Sequence, residues 1–208
     1  MYTPAHFRED DPSAIAAIVD SYPLAALVAS GASGLIVNHL PLIRVAAADG
    51  TTALRGHVAR GNDLWRTVPA LTAVVAIFRG QDHYVSPAWY PTKAESGEVV
   101  PTWNYTVVHA HGLIRFIDDR DWLRELVSAL TNRHERGRPA PWSIDDAPPK
   151  YIDRMLAAIV GFEIDVERWD GKRKASQNRT ERERSGALIG LEADGVSESA
   201  REQLVRDR

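Results

Sequence analysis

From Leu24 to Ser86 the chain is a succession of short apolar runs cut by Gly, Asp and Pro, and this texture constrains the fold more than any other feature. Leu24–Ala29 and Leu35–Val45 read as strands. Asp49-Gly50 reads as a hairpin turn, since that pair tolerates positive φ, and Thr52–Arg60 as the returning strand. Ala70–Phe78 has the pattern of a buried strand, with His83–Ser86 as its neighbour. Val99–Ile117, rich in β-branched and aromatic residues, is one bent strand or two, and Gly161–Arg168 is another. Helices are fewer. Asp10-Asp11-Pro12-Ser13 opens one that Pro23 closes, because an acidic cap and an early proline suit a first turn. Asn62 is a good N-cap for a short helix through Val68. Asp118–Arg136 has the clearest helical periodicity, Lys150–Ile159 is helical, and the chain from Ser176 onward is polar and helical. Pro87–Gly97 and Gly137–Pro149 are loops. Many short strands dressed with helices predict a mainly β (α+β) fold, a closed or half-closed barrel.

The length of 208 residues suits one domain with a sizeable core. A net charge of -3 gives no global basic field for nucleic acid. The absence of cysteine removes disulfides, thiolate metal sites and cysteine nucleophiles together. The start Met1-Tyr2-Thr3-Pro4 lacks a signal-peptide pattern, and no apolar run approaches the ~18 residues that span a bilayer, so a cytoplasmic protein without a membrane partner is expected.

Three clusters carry chemistry. Arg55–Trp65 ends a strand in Arg60-Gly61-Asn62 and passes into a helix, where a guanidinium, an amide and free N–H groups suit an anion. Tyr84–Tyr90 and Val100–Tyr105 place five aromatics around a proline loop, faces suited to stacking on a ring or to a subunit interface. Gly171–Arg179 gathers four cations around Ser176-Gln177-Asn178, which supply directional hydrogen bonds. His109 and His111 alternate on a strand and share a face, but nothing nearby in sequence completes a metal shell. No nucleophile elbow, phosphate-binding glycine loop or HExxH pattern is present, so no catalytic residue and no metal ligand is assigned.

Taken in order, several stretches resemble the PaiB-type family of FMN-binding negative transcriptional regulators. They are Met1-Tyr2-Thr3-Pro4 with Phe7; Asn38-His39-Leu40-Pro41; Gly56-His57-Val58-Ala59-Arg60 with Asn62 and Trp65; and Tyr84-Val85-Ser86-Pro87 with Trp89-Tyr90. Val100–Tyr105 with Val108-His109 and Gly112 follows, then Gly161-Phe162-Glu163-Ile164, Gly171-Lys172 and Ser176-Gln177-Asn178-Arg179. The likeness runs from Met1 to about Gly190, leaving 191–208 as a polar helical tail. It implies a six-stranded FMN-binding split β-barrel that works as a homodimer with flavin at the interface. By position, Arg60, Gly61 and Asn62 would meet the FMN phosphate, while His39, Leu40, His57, Val58 and Ala59 would line the flavin, with Trp65 beside them. Trp103 and Asn104, with Lys174, Ser176, Gln177 and Arg179, would close the pocket from the same or the partner chain. Asp63 adjoins the expected phosphate position, and a carboxylate within ~5 Å would weaken binding unless it points away.

Three functions are compatible with that resemblance: a flavin-binding regulator, an FMN-dependent oxidoreductase taking a nicotinamide partner, and a haem-binding protein using an exposed histidine. Direct DNA binding has no sequence support, since no helix-turn-helix, zinc finger or strongly basic helix is visible.

Overall fold

The computed structural model describes residues 1–32, 34–46 and 51–205, so the Asp49-Gly50 turn lies outside the described residues. Eight strands form one mainly antiparallel sheet: β1 (Arg8–Glu9), β2 (Leu24–Gly31), β3 (Gly34–Pro41), β4 (Ile43–Ala46), β5 (Thr52–Ala59), β6 (Thr72–Val85), β7 (Thr102–Ile117) and β8 (Ile159–Lys174). Their hydrogen-bonded order is β3-β2-β6-β7-β8-β5-β4, with β1 added on β8. The sheet therefore has eight strands where the resemblance implied six. Among the described residues seven α-helices accompany it: α1 (Pro12–Ser21), α2 (Leu64–Thr67), α3 (Thr92–Glu95), α4 (Arg120–Glu135), α5 (Pro149–Ala157), α6 (Glu181–Ala193) and α7 (Glu198–Leu204). None is long and apolar enough to cross a membrane.

Local chemistry accounts for most boundaries. The Asp11 carboxylate accepts from the Ser13 N–H with Pro12 in the first turn, and α1 buries Ile15 and Val19. Asp119 accepts from the Trp122 N–H at 2.8 Å, and α4 turns Leu123, Leu126 and Leu130 inward. The expected strand Leu35–Val45 is two strands, because the chain breaks after Pro41 and the Leu42 N–H donates to the Pro23 carbonyl at 2.9 Å. Asn62 accepts from the Leu64 N–H at 2.9 Å as expected, although Asp63 is the residue that directly precedes α2.

The larger differences are strands that continue where glycine and aspartate suggested turns. Ala70–Phe78 and His83–Ser86 are not neighbours but parts of the single strand β6, which passes through Gly80. A Cβ at Gly80 would meet Thr106 at 3.2 Å and Tyr22 at 3.3 Å, so the missing side chain admits packing neighbours rather than a turn. Likewise Gly161–Arg168 is only the middle of β8, which runs on through Gly171 to Lys174. At Gly171 an added Cβ would stand 2.3 Å from the Glu9 carbonyl oxygen of β1. The basic run Lys172-Arg173-Lys174 is therefore strand, not turn.

The chain divides into two compact units. One comprises 1–22, 78–109 and 170–208; here Val85, Tyr90, Ala187, Leu191, Leu204 and Val205 form a buried cluster. The other comprises 23–77 and 110–169, with β5 paired to β8 from Ala53↔Asp165 to Ala59↔Ile159. In this second unit the buried Glu163 carboxylate is held between the Arg55 and Arg115 guanidiniums, and Arg115 also reaches Asp165 at 3.2 Å. Gly171→Ala should lower thermal stability by about 1–3 kcal/mol, the ordinary cost of forcing volume into a packed site. Gly61→Ala, whose Cβ would meet nothing within 4 Å, should leave the melting temperature nearly unchanged. Calorimetric unfolding of the two variants checks both.

Candidate functional site

Lys172 and Lys174 are two residues apart near the end of β8, so their side chains leave the strand on one side. Lys172 is only 8% exposed. Its ammonium lies 5.1 Å from the centroid of the Tyr105 ring and donates to the Tyr2 carbonyl at 3.3 Å. Lys174 donates to the Thr102 hydroxyl and, at 2.7 Å, to the Trp103 carbonyl. Among the described residues neither lysine has a carboxylate partner. Burial first, and then the positive charges of Lys172 and Arg179, push Lys174 below the ordinary lysine pKa. Enclosed like charges with only neutral partners are costly, and such a group is a candidate for an anion contact.

The segment after β8 is a tight turn. Ser176 has φ +59°, a left-handed conformation that side chains adopt reluctantly, and its carbonyl accepts from the Arg179 N–H at 2.9 Å. Gln177 folds back on the backbone: its Oε1 accepts from the Ala175 N–H at 2.7 Å and its Nε2 donates to the Arg173 carbonyl at 2.5 Å. The side chain expected to face a ligand thus braces the turn. Asn104, 1% exposed, donates from Nδ2 to Ser176 Oγ and to the Leu204 carbonyl, both at 2.8 Å. Its Oδ1 is buried with no protein partner. Arg179 lies 4.9 Å over the Tyr90 ring and 3.6 Å from Glu183.

The aromatic cluster divides. Tyr90 is core, at 2% exposure, and Trp89 packs against the same buried cluster. Tyr84 and Trp103 remain exposed and meet edge-to-face with centroids 6.0 Å apart. One unit therefore brings together Lys172, Lys174, Arg179, the Ser176 turn and two solvent-facing rings. That combination can hold a flat ring carrying an anionic group.

The expected phosphate end lies in the other unit and is already bonded. Arg60 makes a two-pronged ion pair with Asp118 and donates to the carbonyls of Ala157 and Ile159, which engages four of its five N–H groups. Asp118 raises the Arg60 pKa and is itself lowered by the pairing. Asn62 Nδ2 donates to Asn38 Oδ1 at 2.7 Å, and Trp65 Nε1 donates to the Arg60 carbonyl at 3.0 Å. Asp63 is exposed, 3.8 Å from Arg66. Strand alternation also separates the expected flavin wall. His39 pairs across from Ala26 on one face, whereas Leu40 is opposite the buried Ala25 on the other. Val58 is core, while His57 and the exposed Ala59 point the opposite way. His57 is opposite Gly161, whose open position is filled by Trp122, and burial lowers the His57 pKa while leaving its Nδ1 without a partner. Lys172 and Tyr84 belong to the clusters singled out in the sequence but were not among the residues expected to contact the flavin. The signal was the lysine spacing, which shows a shared face only once β8 is known to continue past Gly171.

The fold is a mainly antiparallel sheet with flanking helices. It is shared with the FAD and haem binding protein of Mycobacterium smegmatis at a TM-score of 0.60 and 18% identity, over 80% of this chain and 73% of that one. Residues 1–168 match the family described as "Putative FMN-binding domain". The chain belongs to that family, and FMN is its cofactor. It is 35% identical over 181 residues to Protease synthase and sporulation protein PAI 2 of Bacillus subtilis (strain 168), covering 87% of this chain and 84% of that protein. An uncharacterised protein of Emericella nidulans is 31% identical over 231 residues, with 94% and 92% covered.

Because folding lowers the Lys174 pKa, its protonated form opposes folding below that pKa, and the penalty fades as pH rises through it. Lys174→Met should therefore raise the melting temperature of the ligand-free protein at neutral pH, and the gain should shrink in alkaline buffer. A series of thermal melts between neutral and alkaline pH checks the sign.

Proposed function

We propose that this chain is a flavin-binding protein of the PaiB type whose FMN phosphate is held by Lys172, Lys174 and Arg179. The observation that carries the reading is the pairing of buried Lys172 with half-buried Lys174, each with only neutral partners among the described residues, which a phosphate dianion complements. The Ser176 turn follows Lys174 closely along the chain, and the exposed Tyr84 and Trp103 rings offer faces to an isoalloxazine. Arg60 and Asn62 then act as struts of their own unit, since their hydrogen bonds are already made. Bound FMN supplies electron or hydride chemistry; the chain's own groups bind and orient it. Lys172, at 8% exposure, is too enclosed for a nucleic-acid backbone and favours a small phosphate ester. Regulation in the manner of the PaiB type would then follow from flavin occupancy rather than from direct DNA reading.

Self-association is part of this reading. In one unit the outward face of β3-β2-β6 carries the directly paired Val37, Val28 and Val75, the paired Ala26 and Ile77, and the exposed Leu35 and Leu24. A contiguous apolar sheet face of this kind suits a second copy of the chain.

Absorbance titration with FMN tests the ligand. The wild type should show a perturbed flavin band with saturable binding, and Lys172→Ala or Lys174→Ala should weaken it about 10- to 100-fold, the range for a charged hydrogen bond. Affinity should fall as pH rises through the lowered Lys174 pKa, since only the ammonium attracts phosphate, and Lys174→Met should flatten that dependence. Light scattering should show a dimer that Val37→Lys converts to monomer. Binding unaffected by either lysine would refute the assignment.

A further inference from the structure

We infer that Asn104 is a positioning residue through which the C-terminal segment, Ser197–Val205, completes the anion site. The inference rests on the FMN-site reading above and adds its regulation.

Asn104 spends both amide hydrogens on other parts of the same unit, one on Ser176 Oγ and one on the Leu204 carbonyl, each at 2.8 Å. A single buried side chain thereby joins the left-handed turn after β8 to the last helix. The last helix is bound from three further directions. Leu204 and Val205 lie in the buried cluster with Val85, Tyr90, Ala187 and Leu191. The Tyr22 hydroxyl donates to Gln203 Oε1 at 3.1 Å, and Arg173 Nε donates to the Gln203 carbonyl at 3.4 Å. Arg173 is the residue between Lys172 and Lys174, and its own carbonyl receives the Gln177 amide. Tyr90, packed beneath the helix in the same cluster, carries the Arg179 guanidinium on its ring. The turn, through Asn104, and Arg179, through Tyr90, therefore each contact a residue touching the C-terminal segment, and the two lysines flank Arg173, which bonds it directly.

The Ser176 backbone conformation explains why such bracing is needed. A non-glycine residue at φ +59° relaxes unless its surroundings hold it. Ordering of the last helix and ordering of the turn are thus one equilibrium. By linkage, an anion that needs the ordered turn must also stabilise the docked helix. The C-terminal segment is a strap: docked, it presents the turn and cations together; released, it lets Ser176 and Arg179 move apart from the lysines.

The test compares wild type, Asn104→Leu and Leu204→Ala by amide hydrogen exchange and FMN titration. In ligand-free protein, both substitutions should speed exchange at 175–179 and 198–205 together, with protection in β5 and α4 unchanged. Asn104→Leu keeps the volume, so unchanged β5 and α4 separates loss of positioning from general unfolding. FMN affinity should drop about five- to tenfold in each variant, the loss expected for one or two hydrogen bonds, and saturating FMN should slow exchange of 198–205 in wild type. If Leu204→Ala loosens the last helix but leaves exchange at 175–179 and FMN affinity at wild-type values, the strap is refuted while the lysine site stands. If neither lysine variant alters FMN binding, the underlying site fails and the strap's effect on FMN falls with it.

Discussion

The continuity of strand β8 is the constraint on which the rest depends. Its early residues pair with β5 from Ile159 to Asp165, and its last residues pair with β1 through Gly171 and Lys172. Backbone hydrogen bonds must be satisfied wherever the chain is buried, so a strand paired at both ends stays extended through its basic run. Extension fixes Lys172 and Lys174 on one side of the sheet, and the neighbouring strand β7 supplies Thr102, Trp103 and Tyr105 to meet them. The site is thus a product of strand register before it is a product of charge.

Charge decides what the site is for. Lys174, half-buried beside Lys172 and Arg179 with a hydroxyl and a carbonyl to bond, carries a standing electrostatic cost. The fold tolerates it because the turn after β8 is held by Gln177 and Asn104 rather than by the cations themselves. Contrast Arg60, whose Asp118 partner and two carbonyls leave it neutralised and nearly saturated. Two basic centres of similar appearance in the sequence are in opposite energetic states, one bonded to a carboxylate and one with neutral partners only. The Arg55–Glu163–Arg115 network is a third case, in which a buried carboxylate is compensated from both sides.

Glycine was the residue most easily misread. Gly80 and Gly171 look like punctuation, and each broke an expected strand. In the structure both are positions where a neighbour comes too close for a side chain, a condition set by distant residues. Pro41 gave the converse: it ended a strand within a run whose apolar content suggested continuity.

By itself the sequence determined the mainly β architecture with flanking helices and the cap at Asp11, because periodicity and capping are local. The ordered Tyr-Val-Ser-Pro, Val-Pro-Thr-Trp-Asn-Tyr and Ser-Gln-Asn-Arg stretches carried the family. Tertiary structure alone decided that Lys172 and Lys174 have no carboxylate partner among the described residues, that His39 and Leu40 face opposite ways, and that Leu204 reaches Asn104. The lysine and Asn104 outcomes depend on partners 71 to 100 residues away, from Lys174 with Thr102 and Trp103 to Asn104 with Leu204. Local chemistry can name such residues as polar or charged, but only the packed chain shows which of their bonds are already made.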